Sequence, residues 1–244
     1  MISMELSPKR IRVIFDKKTI VSSRRALLVG EDGPPVYYFP KEDVLMDALV
    51  RSGRRSDDVK KGTLVYWNIR SENKSVEDGA WSYEEPSSSL KKLRDYLAFS
   101  WGDMDAWYEE DEEVFVHARD PHKRIDVLKS SREVKVIVDG KILAESSRPT
   151  LLFETGLPTR YYLTKEDFQL ELVPTQKKTS CPYKGDANYW SARTKDKTFE
   201  NIIWGYKEPL AECGKISGLL SFYNEKVDLY VDGNLEEKPK TKWR

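Results

Sequence analysis

Only two histidines and two cysteines occur in the 244 residues. Both histidines, His117 and His122, fall in one short stretch. A histidine-rich metal site is therefore excluded, and a Ser-His-Asp or Cys-His arrangement would have to borrow from that stretch. Cys181 and Cys213 make no disulfide framework and point to a reducing, cytoplasmic setting. No apolar run approaches the roughly 18 residues of a membrane span, and residues 1–10 lack the apolar core of a signal peptide. Neither charge sign dominates, with 41 Lys+Arg against 41 Asp+Glu, so no basic field draws in nucleic acid or an anionic membrane. These absences predict no metal, no cofactor, no nucleic-acid partner and no membrane partner.

What is present is aromatic and repetitive. Seven Trp and 13 Tyr favour β structure and aromatic-lined surfaces. The stretch Cys181-Pro-Tyr-Lys-Gly-Asp-Ala-Asn-Tyr-Trp-Ser191 has a second version in Asp58-Val-Lys-Lys-Gly-Thr-Leu-Val-Tyr-Trp-Asn68. Lys-Gly and Tyr-Trp survive in both, whereas Cys and Pro occur only in the later one. The match extends outward. Ile11–Ile20 pairs with Val134–Leu143, each an alternating hairpin about an Asp turn. Pro35–Val44 pairs with Thr159–Phe168, and Ala80–Pro86 with Ile203–Pro209. The reading is two tandem, mainly β copies with short helical segments, over residues 1–115 and 116–244. The spacing predicts a short helix over Glu42–Val50 in the first copy, but a strand over Gln169–Pro174 in the second. Glu109–Glu113 reads as a solvated boundary, residues 114–128 as a segment that packs on a domain, and the tail beyond Gly233 as frayed.

Arg119-Asp-Pro-His-Lys-Arg-Ile-Asp-Val127, Leu152-Phe-Glu-Thr-Gly-Leu-Pro-Thr-Arg-Tyr-Tyr162, Cys181-Pro-Tyr-Lys-Gly185 and Phe222–Gly233 together resemble the domain-of-unknown-function family 427. The resemblance covers nearly all of 119–233 and is weaker over 11–110. It implies a compact, Mss4-like (β-tent) fold for each copy. Relatives of that architecture often hold zinc between two Cys-x-x-Cys knuckles, which this chain does not have. The family's loose nucleotidyltransferase-like label meets no Gly-Ser motif followed by paired carboxylates.

Chemistry concentrates in the second copy. Cys181 is the candidate nucleophile, with Lys184 three residues on to lower its thiol pKa and Glu154 or Glu166 to carry a proton. The bland alternative is a small buried thiol, as expected for Cys213. Arg160 can clamp a carboxylate or phosphate, or form a structural ion pair. Tyr162, Trp190, Trp204 and Tyr206 can line a pocket, with Tyr189 on the opposite strand face, or be core.

Three functions follow. The first is a cytoplasmic small-molecule-binding protein that holds an anionic or zwitterionic ligand through Arg160, Tyr162, Lys184, Trp190 and Trp204. The second is an enzyme using Cys181 as a thiolate nucleophile or redox centre, with Lys184 and Glu154. The third is an interaction module that grips a partner chain or pairs two copies of itself.

Overall fold

The computed structural model describes residues 2–31, 33–195 and 197–241. It divides into two compact units, residues 1–120 and 121–244. Both are mainly β, with short 3-10 turns as their helical segments.

Each unit combines a seven-stranded and a four-stranded antiparallel sheet in the same order. The large sheet of the first unit runs Ser3–Leu6, Leu27–Gly30, Val36–Pro40, Tyr96–Phe99, Ser75–Pro86, Gly62–Arg70, Leu49–Asp58. That of the second runs Ile125–Lys129, Thr150–Glu154, Arg160–Leu163, Leu220–Phe222, Thr198–Tyr206, Gly185–Arg193, Glu171–Cys181. The small sheets are built around Ile11–Phe15 and Val134–Val138.

The duplication reaches fine detail. The first hairpin of each unit turns through Asp16-Lys17 (φ 46° and 62°) or Asp139-Gly140 (φ 49° and 74°). Two left-handed residues in succession give the turn whose twist suits the strands it joins. The register slips at Val13/Ile14 in one hairpin and at Val136/Ile137 in the other.

Alternation places Val134, Val136 and Val138 in the core beneath the large sheet, with Leu163, Ile203 and Phe222. Truncating a fully buried residue such as Ile203 to Ala would cost about 2–5 kcal/mol. Adjacent strand residues face opposite ways. Tyr161 joins that core while Tyr162 joins a separate cluster on the other face, with Tyr189, Trp204, Tyr206, Cys213 and Ile216. Tyr37 and Tyr38 divide in the same way in the first unit. The large sheet is thus covered on both faces, and its second face is the one that matters below.

Three expectations are corrected. Glu42–Val50 is not one helix: 3-10 turns at Lys41–Asp43 and Met46–Ala48 lead directly into the Leu49–Asp58 strand. The second unit keeps only the first turn, Lys165–Asp167, and has two fewer residues between that turn and its strand, which accounts for the divergence between the copies. The acidic run is solvated as expected from Glu110 to Glu113, but it is part of the first unit's small sheet, where Glu109 pairs with Glu112 and Tyr108 with Glu113, and not a boundary between units. Glu109 is buried against Lys9 and the Tyr37 hydroxyl, and Asp111 pairs with Arg10 and Arg12. The tail is anchored as far as it is described. Asn234–Leu235 pairs with the preceding strand, Lys238 meets Asp228 at 2.8 Å, and Thr241 donates to Glu225 at 2.6 Å.

Candidate functional site

The Cys181 turn closes by backbone geometry. Cys181 ends its strand opposite Gly185, whose φ of 91° favours glycine, and its carbonyl accepts the Lys184 N–H at 3.3 Å. The first unit builds the same turn around Gly62, φ 95°. There Asp58 accepts the N–H groups of Lys60 and Lys61 at 2.8 and 2.9 Å. Cys181 replaces that capping carboxylate and is half-buried.

Lys184 does not serve the thiol as its ion-pair partner. Its ammonium bonds Glu154, which Lys123 also approaches at 3.6 Å. Lys61 meets Glu31 at 2.5 Å in the first unit, which has no cysteine at that turn. A pair present with and without the thiol is a strut between the turn and the neighbouring strand. Glu154 is thereby bonded to Lys184 and approached by Lys123, and neither contact joins it to Cys181. Glu166 lies in the exposed Lys165–Asp167 turn beside Arg148, where its own turn's N–H and Thr164 hold its carboxyl below the usual range. Cys213 is fully buried, and burial pushes its thiol up to about 11 despite the nearby Lys184 charge.

Arg160 also has a partner. Its guanidinium takes Glu225 bidentately, at 2.8 and 2.7 Å, and lies 5.4 Å over the Trp204 ring. Burial pushes the Glu225 carboxyl up, but the Arg160 fork and the Thr241 hydroxyl outweigh it and hold the carboxyl low. The clamp expected of Arg160 is therefore made within the chain.

The tryptophans separate. Trp190 pairs across the ladder with Ile203 and packs on the inner core, whereas Trp204 pairs with Tyr189 and faces the other way. Trp190 and Trp204 cannot line one pocket, and Tyr189, expected on the opposite face, shares the face of Trp204. Tyr162 and Tyr206 are buried there too, and burial raises both phenols. Among the described residues no group of three or more His, Cys, Asp or Glu side chains comes together to hold a metal.

On this second face lies a group that sequence reasoning missed. Tyr223 tilts against Trp204 at 4.5 Å and stacks near Tyr189 at 6.5 Å. Lys177 stands 4.4 Å over Tyr189 and 6.0 Å over Tyr223, while Lys226 stands 5.2 Å over Tyr223. A bulge directs Lys177 there: the register slips between Pro174 and Lys178. Thr175 anchors the bulge by donating to Asn201 at 2.7 Å and to the Tyr189 carbonyl. The first unit has the matching bulge, between Arg51 and Arg55, with Ser52 on Asp78 and Arg54 at 4.4 Å over Tyr66.

The duplication separates scaffold from novelty. Tyr38, Tyr66, Trp81 and Tyr83 match Tyr162, Tyr189, Trp204 and Tyr206. By contrast Val36, Ser100, Gly102 and Asp103 stand where the second unit has Arg160, Tyr223, Glu225 and Lys226. These four exchanges are visible in the sequence once the copies are aligned. That they converge on one face is visible only in the fold.

The shared order of the sheets, the matching bulges and the repeated Lys–Glu strut mark two versions of one domain. No curated protein matches the chain. The family described as Domain of unknown function (DUF427) matches it twice, over residues 3–110 and 126–233, and the chain belongs to that family as a tandem pair.

Proposed function

We propose that the second unit is a small-ligand-binding module that holds a planar anion against Tyr223, between Lys177 and Lys226. The observation behind this reading is that both ammoniums are exposed and lie over aromatic rings, and that among the described residues neither has a carboxylate partner. Arg160, by contrast, is neutralised by Glu225, so it buttresses Trp204 rather than meeting the ligand. A planar anion would stack on Tyr223 and satisfy both ammoniums, and salt would screen the attraction. We place the protein in the cytoplasm, where Cys181 and Cys213, both free, would stay reduced.

The test is tryptophan emission during titration with naphthoate, a planar aromatic carboxylate, at two salt concentrations. Saturable quenching that weakens about tenfold in Lys177→Met and in Lys226→Met is expected, each equivalent to about 1.4 kcal/mol. Affinity unchanged in both variants would defeat the reading. The enzyme alternative gains no comparable observation, because Lys184 and Glu154 bond each other.

A further inference from the structure

A second site lies on the other sheet of the second unit. A groove of about 620 Å³ opens along the four-stranded sheet. That volume suits a small organic molecule. Val134, Ile137, Tyr230, Arg148 and Asp167 are among its lining residues.

Comparison between the units shows what is unusual about Arg148. Its counterpart Arg25 is clamped: the guanidinium reaches Asp43 at 2.5 and 3.3 Å and Glu42 at 3.1 Å, and Ser23 donates to Asp43 at 2.6 Å. The matching residues Ser146, Arg148, Glu166 and Asp167 are all present in the second unit. Yet among the described residues the Arg148 side chain makes no hydrogen bond or ion pair, and Glu166 senses its charge only through space.

One exchange in the turn beside Arg148 separates the two units. Where the first unit has Pro40, with neither an N–H nor a hydroxyl, the second has Thr164. The Thr164 N–H and hydroxyl both donate to Asp167, at 2.9 and 3.0 Å. Asp167 thereby caps its own 3-10 turn, and Arg148 lines the groove without bonding to Asp167.

The charges in the groove narrow the ligand. Lys135 and Glu145 neutralise each other at 2.8 Å. That leaves the Arg148 cation and the carboxylates of Glu133 and Asp167 among the lining residues. Two carboxylates beside one guanidinium repel a polyanion and suit a molecule that carries both signs. We propose that this groove binds a small zwitterion of the amino-acid or short-peptide class. Its carboxylate takes the Arg148 fork, its ammonium lies towards Asp167 and Glu133, and its apolar part rests on Ile137 and Tyr230. The site is independent of the aromatic face proposed above.

The experiment is a titration of the full chain with the dipeptide glycyl-leucine, followed by amide chemical shifts, with inorganic phosphate as the comparison anion. Shifts are expected around residues 133–137, 145–148 and 230, with phosphate much weaker. Arg148→Met should weaken the dipeptide about tenfold or more, as for loss of a charged hydrogen-bond pair. Arg25→Met should leave it unchanged. Thr164→Pro should also weaken it, by returning Asp167 to Arg148. The Thr164 φ of −75° already suits proline. The proposal is overturned if no shifts appear at the groove, if Arg148→Met or Thr164→Pro binds as well as wild type, or if phosphate binds as tightly as the dipeptide.

Discussion

Arg160 lays its guanidinium fork on Glu225, a carboxylate whose side chain is 0 % exposed, where the first unit has Val36 and Gly102. A buried bidentate pair of this kind is costly to break from one side, because the remaining charge keeps its burial and loses its partner. Arg160→Val should therefore lower stability by about 3–5 kcal/mol. The double variant Arg160→Val/Glu225→Gln should recover much of that loss. Urea unfolding of the three proteins checks both statements, and a double variant no better than the single one would contradict them.

The same pair predicts an acid response. The Glu225 carboxyl is held below its ordinary value of 4.5 in the folded chain. Its contribution to stability is thus fully present above that value and is lost as pH falls through the lower folded value. Glu225→Gln should flatten the acid limb of the stability profile and leave its neutral shape unchanged.

The strut reading of Lys184 sets it against its counterpart. Glu154 is 5 % exposed, whereas Glu31 is 43 % exposed. Lys184→Met should cost about 3 kcal/mol, softened by Lys123, and Lys61→Met at most about 1 kcal/mol. Thermal unfolding measures the difference. Equal losses would mean that burial of the carboxylate does not decide the effect.

The thiols should separate under iodoacetamide. Cys181 is half-buried and should label in the folded protein. Cys213 is fully enclosed with its thiol raised to about 11, and should label only when the chain opens. Cys213→Leu copies the Leu90 of the first unit and should fold. Mass spectrometry of the labelled peptides reads this directly. Labelling of Cys213 at the rate of Cys181 would show that the turn at Ala211–Ile216 does not seal the face.

Returning the aromatic face to the first unit's residues isolates its role. Tyr223→Ser with Lys226→Asp should abolish saturable naphthoate quenching while changing stability by no more than about 1–3 kcal/mol. Retained quenching would move the ligand away from Tyr223.

The sequence by itself determined the strands, the duplication and the family. Period-two alternation, Asp-centred turns and a long internal match are local signals, and each survives in the folded chain. It also singled out the second unit, because Cys181, Pro182 and Tyr183 stand where the first unit has Asp58, Val59 and Lys60. Only the tertiary structure decided which of these residues meet. Trp190 and Trp204 look equivalent along the chain, yet a one-place difference in ladder register puts them on opposite faces of one sheet. Lys184 looks free to act on Cys181 until Glu154, thirty residues away in sequence, is brought beside it. Lys177 looks like one more surface lysine until a bulge turns it over Tyr189. The reason is physical: strand propensity and turn chemistry act between near neighbours, whereas the partner of a buried charge and the direction of a side chain depend on register and on which strand lies alongside.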